Sequence, residues 1–114
     1  MDKFVLNKKR IDFPVFEYYV LVIETNNFDR AAKKLGFEET PRETSIAFTR
    51  TANNGSHSAI FVSVEAPIGH IVHESWHAIH HMLTFRGAEL EEENVAYHLE
   101  FLVSKITRFV RGII

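Results

Sequence analysis

Residues 68–85 read IGHIVHESWHAIHHMLTF, and the reading of this stretch decides the fold. Pro67 and Gly69 break the chain ahead of it and Arg86-Gly87 stops it, so a helix is predicted from about Ile68 or His70 to Phe85. The stretch holds five of the chain's seven histidines: His70, His73, His77, His80 and His81. Scattered histidine is ordinary surface, whereas histidine clustered at helical spacing points to a metal. His73 and His77 are four residues apart, which stands both imidazoles on one helical face, one turn apart. That gap suits two ligands about 2.0–2.1 Å from one zinc ion, with neutral imidazole binding the metal tightly and leaving it electrophilic. Glu74 follows the first ligand and falls beside the metal, where a carboxylate serves as base to a metal-activated water.

The rest of the chain is read outward from that helix. Residues 16–24 (FEYYVLVIE) are aromatic and β-branched and predict a strand buried on both faces. Asn26 or Asn27 then caps a short helix from Phe28 to Leu35, which Gly36 ends. Its Phe28, Ala31, Ala32 and Leu35 face inward, and Arg30, Lys33 and Lys34 face water. Residues 38–43, with Pro41, read as a polar loop. Residues 45–52 and 58–65 read as a hairpin joined through Asn53-Asn54-Gly55-Ser56, because Asn and Gly tolerate positive φ. In its second strand Ile60, Val62 and Val64 share one face, and Ala59, Phe61 and Ser63 the other. A last helix is expected from about Ala88 to Arg111, with Val95, Leu99, Leu102, Val103, Ile106 and Val110 as its buried stripe. The order β-α-β-β-α-α predicts an α+β domain in which a small three-stranded sheet packs on the histidine-bearing helix and a C-terminal helix.

A chain of 114 residues suits a single domain, residues 1–114. Hydrophobic residues at 46% and charged residues at 25% mark a globular chain rather than a disordered one. Ten Phe, three Tyr and one Trp fill an interior without a disulfide staple. The absence of cysteine excludes thiolate zinc sites, so any metal is held by His and carboxylate, and it fits a reducing, cytoplasmic setting. Residues 1–12 carry Lys8, Lys9 and Arg10 but no apolar run before a cleavage site, so no signal peptide is expected. Nothing approaches the roughly 20 apolar residues of a membrane span, and no membrane partner is expected. A net charge of −2 argues against a broad nucleic-acid surface. Lys105, Arg108 and Arg111 read as complements of the last helix's dipole.

A two-histidine site needs a third protein ligand. Glu89, Glu91, Glu92 and Glu93, at the start of the last helix, are the candidates, and at least two of them read as a solvated first turn. Periodicity aligns Glu92 with Val95, Ala96, Leu99 and Val103, while Glu93 sits about 100° away. His70 reads as a surface residue at the helix start, His80 and His81 as structural, Trp76 as core, and Tyr97 as packing. Each of these histidines and Tyr97 has a second reading beside the metal, as an orienting or oxyanion-binding group. The strand before the helix also reads as a place where extended substrate adds by strand pairing.

HESWH at residues 73–77, with EENVAY beginning fifteen positions after His77, resembles the gluzincin group of zinc peptidases, in which two His come from one helix and a Glu from the next. It is similar also to small phage and prophage proteins that pair His-Glu-x-x-His-Ala with a later Glu-x-x-Ala-Tyr. The similarity covers about residues 60–103. It implies a minimal zincin-like fold, zinc as cofactor, and His73, His77 and Glu93 as metal ligands, since Glu93-Asn94-Val95-Ala96-Tyr97 carries the second pattern. Where thermolysin-like enzymes place an Asp four residues after the ligand Glu, this chain has Tyr97. The function implied is a zinc-dependent hydrolase of peptide bonds, acting on a peptide or protein with Glu74 as catalytic base. The alternative is a non-catalytic metal-binding interaction or regulatory protein, phage-encoded.

Overall fold

The computed structural model describes residues 3–37, 47–52, 54–88 and 90–112. The expected polar loop at residues 38–43, the first residues of the hairpin, Asn53 and Glu89 lie outside them. The two most apolar runs form the centre of a four-stranded mixed sheet. They are β2 (Tyr18–Thr25) and β4 (His57–Ser63), which pair in parallel with Val22 opposite Ile60. β1 (Leu6–Phe13) lies antiparallel on the outside of β2, and β3 (Ala47–Thr51) antiparallel on the outside of β4, giving the order β1-β2-β4-β3. Central strands are covered on both faces and read as continuous hydrophobic runs, whereas edges carry charge that blocks further pairing.

The sheet therefore has four strands, not three. β1 is the addition, and its sequence LNKKRIDF explains why it escapes a periodicity reading: only Ile11 and Phe13 at its end are buried. Strand pairing to β2 along its whole length makes it a strand. The expected strand at residues 16–24 begins two residues later, because Pro14–Phe16 forms a 3-10 turn that closes with Glu17 in the left-handed region at φ 49°.

Alternation along each strand sorts side chains into two layers. Val20 and Val22 of β2 and Ile60 and Val62 of β4 face α2 (Ile68–Phe85) and α3 (Glu92–Val110). Ile23, Ala59 and Phe61 face the opposite way, onto α1 (Phe28–Lys34). Asn27 caps α1 by accepting from the Arg30 N–H at 3.0 Å, while Asn26 ties down the N-terminal segment through Val5 N–H and the Lys3 carbonyl. α2 spans the predicted residues. Ile71, Ser75, Ala78, Ile79, Met82 and Leu83 form its buried stripe. α3 begins at Glu92 rather than Ala88, and its stripe is the expected one, with Leu102 and Ile106 fully buried and Val95, Leu99, Val103 and Val110 packed around them. No helix among the described residues is long and apolar enough to cross a membrane.

Candidate functional site

The site lies where the exposed face of α2 meets its buried stripe. Residues 73, 76, 77 and 80 follow the i, i+3, i+4, i+7 spacing and share one face. His73 and His77 are exposed on it, with their Nε2 atoms 3.2 Å apart. Two nitrogens at about 2.05 Å from a tetrahedral zinc stand about 3.3 Å from each other, so the imidazole pair already has the spacing of two ligands of one ion.

Glu74 is one step further round the helix, at the margin of the buried stripe, and only 8% exposed. A carboxylate there needs a partner to offset its lost hydration. Thr49 of β3 supplies it, its hydroxyl donating to Glu74 Oε1 at 2.8 Å and lying 3.2 Å from the Glu74 carbonyl. The other carboxylate oxygen, Oε2, is 3.9 Å from His73 Nε2. One oxygen is thus anchored to the sheet while the other faces the His73 imidazole. Thr49 is a site residue that sequence reasoning missed; it lies in the other hairpin strand, and no local pattern links it to position 74.

Glu93 is not brought to this pair. It is exposed in the first turn of α3, with Glu92 beside it, where acidic side chains favour the positive end of the helix dipole. Among the described residues no three His, Asp or Glu side chains are arranged to hold a metal. Glu92 is also exposed, so alignment with the apolar stripe does not carry it into the core.

Trp76 is a correction. It is not core: 44% of it is exposed, and it stacks on His80 with ring centroids 4.9 Å apart. Its edge also meets the His77 ring at 5.6 Å. Helical spacing puts it on the histidine face, three residues from His73 and one from His77, which is the geometry that the core expectation overlooked. His70 is exposed in the first turn, and Tyr97 is 68% exposed, its ring meeting His98 edge-on at 5.3 Å.

No family model matches this chain, and neither does any curated protein or solved structure compared with it. The residues alone carry the functional argument.

His81, one turn beyond His77 on α2, has a structural task. Tyr18 of β2, buried beneath α2, bonds His81 Nδ1 at 2.7 Å and also bonds the fully buried Ser58 hydroxyl of β4. The His81 ring also bonds the Ala52 backbone. If that bond uses the ring N–H, Nδ1 accepts from Tyr18 and Tyr18 accepts from Ser58. Burial pushes the Tyr18 phenol up to about 12, partly countered by Ser58 and Arg86, so it stays a neutral donor. Burial also holds His81 below its usual value, opposed by the Ala52 bond and aided by His57 and His80. His57, stacked flat on Tyr19 at 4.7 Å, is lowered by burial and by Arg10.

The strand expected to receive substrate is also corrected. β4 is paired on both sides, so it has no free edge; among the described residues the edge strand beside α2 is β3.

Proposed function

We propose that the chain is a zinc-dependent peptide hydrolase of minimal zincin-like fold, gluzincin-like in its helix-borne motif, with His73 and His77 as metal ligands and Glu74 as base. The observation that carries this is the 3.2 Å approach of the two Nε2 atoms with a nearly buried carboxylate beside them. Zinc when bound supplies a Lewis acid that polarises a carbonyl and makes water acidic. The chain's own residues do the rest. Thr49 holds Glu74 Oε1, leaving Oε2 to take a proton from the attacking water and return it to the leaving amine. β3, the edge strand beside α2 among the described residues, offers backbone groups to an extended peptide beside the site. The exposed face bearing Val72 and Trp76 favours a second reading, a non-catalytic metal-binding interaction protein whose partner covers that face.

Elemental analysis tests the metal, and one variant separates the readings. Wild type is expected to hold close to one zinc per chain, and His73→Ala to lose it. Glu74→Gln keeps the zinc and the fold but lowers cleavage of a peptide library by about 100-fold or more. Wild-type protein that takes up no added zinc would sink both readings, and equal cleavage by wild type and Glu74→Gln would sink the hydrolase. Zinc retention in Glu93→Ala against Glu92→Ala decides whether α3 supplies the third ligand.

A further inference from the structure

The two ends of the chain carry basic residues that the fold brings together. Lys8 and Lys9 lie in β1, and Lys105, Arg108 and Arg111 on the last two turns of α3 and just beyond it. All five line one open groove of about 730 Å3 between the start of β1 and the end of α3. One carboxylate, Glu24 of β2, is at the groove, and its Oε1 accepts from the Asn7 amide at 3.0 Å. Phe109 and Val110 contribute apolar wall. Lys9 shares the α3 face of the sheet with Asn7 and Ile11, while the Lys8 side chain alternates to the α1 face with Ile23, so among the described residues four cations stand against one carboxylate, in a molecule whose formal net charge is −2.

Complementing the helix dipole accounts for one or two of these charges, since the effect fades within the last turn. It does not account for Lys9 on the facing strand. Among the described residues none of Lys8, Lys9, Arg108 and Arg111 has a side-chain ion pair or hydrogen bond, and Lys105 only lies over the Phe101 ring at 5.6 Å. Like charges gathered without partners repel, and a bound anion relieves that repulsion.

We propose that this groove binds a ligand carrying several phosphates. Lys105, Arg108 and Arg111 step along the helix over about 9 Å, longer than one phosphate group and matched by a run of them. Arginine forks and lysine ammonium groups on two opposed walls suit phosphate oxygens. The Glu24 carboxylate and the α3 carbonyl end weaken the site for a single small anion, so the ligand must engage several cations at once. A polyphosphate-bearing small molecule and a single nucleic-acid strand share this chemistry. The groove is built from β1, β2 and α3, and none of His73, Glu74 and His77 lines it, so it stands apart from the metal proposal.

The test titrates the full chain at low salt with sodium tripolyphosphate and, separately, with a short oligothymidylate, followed by calorimetry and backbone amide shifts. One saturable site is expected, with shifts confined to β1 and the end of α3. Arg108→Glu and Lys9→Glu should each weaken binding about tenfold or more, the weight of one charge-assisted hydrogen bond. Arg108→Gln and Lys9→Gln serve as milder versions if charge reversal disturbs the fold. Lys33→Glu, on α1 across the sheet, should leave binding unchanged. Tight oligothymidylate binding whose affinity falls linearly with the logarithm of salt identifies a nucleic-acid strand. Tripolyphosphate binding without oligothymidylate binding identifies a small polyphosphate. No saturable binding of either probe, or equal loss in Lys33→Glu and Arg108→Glu, overturns the proposal.

Discussion

Tyr18 shows how much one hydroxyl holds at the residue scale. It joins β2 to β4 through Ser58 and to α2 through His81, all beneath the helix. Tyr18→Phe keeps the ring in its packing but removes the shared partner of Ser58 and His81. Leaving a fully buried hydroxyl unsatisfied costs about 1–3 kcal/mol, so the urea midpoint should fall by a corresponding amount with its slope unchanged. A midpoint equal to wild type would mean that Ser58 and His81 find other partners. Tyr18 sits in an apolar run that identifies its strand but not its partners, which come from positions 40 and 63 residues away. His73, Glu74 and His77 are the opposite case: one helical turn relates them, so their spacing is legible before any fold is known.

Among the elements, the β3–β4 hairpin depends on its turn. Asn54 Oδ1 accepts from the Ser56 N–H at 3.0 Å, and Gly55 holds φ at 74° while the Phe85 ring packs against its Cα. A Cβ there would overlap that ring and would sit on a backbone that L-residues disfavour by about 1–2 kcal/mol. Gly55→Ala should therefore lower stability by at least that amount. Adding Phe85→Ala should recover only the steric part, because the backbone strain persists. A thermal melt of the single and double variants checks this, and a neutral Gly55→Ala would remove the turn from the account. The hairpin's turn and its alternation are readable from Asn-Gly and the apolar pattern. β1 is not, because an edge strand needs no apolar repeat when backbone pairing to β2 supplies its stability.

At the scale of the whole molecule, stability against pH follows from histidines kept neutral. His81 and His57 both have folded values below the unfolded value near 6.5. Below about pH 6.5 the unfolded chain binds protons that the native chain resists, so stability falls as pH falls toward the folded values. Above that range both states are neutral at these sites and contribute no slope. The melting temperature should therefore drop as pH falls below about 6.5, and His81→Gln should shallow the drop. His57 is also held low, so part of the slope persists in that variant. An undiminished slope in His81→Gln would assign the acid sensitivity elsewhere.

Local order reads directly from this chain: the helix over residues 68–85, the capped helix after Asn27, the Asn-Gly turn, and the histidine pair one turn apart. Each is a relation between residues a few positions apart, governed by helical period, capping or positive φ. Everything that depends on distant segments meeting is set by the tertiary structure. The parallel pairing of β2 with β4 leaves β3 as the edge beside α2, and β3 brings Thr49 to Glu74. The pairing of β1 with β2 brings Lys9 to the end of α3. Exposure of Glu93 and Trp76 was likewise settled by how α2 and α3 pack, because periodicity ranks the faces of a helix without saying which face a neighbour covers.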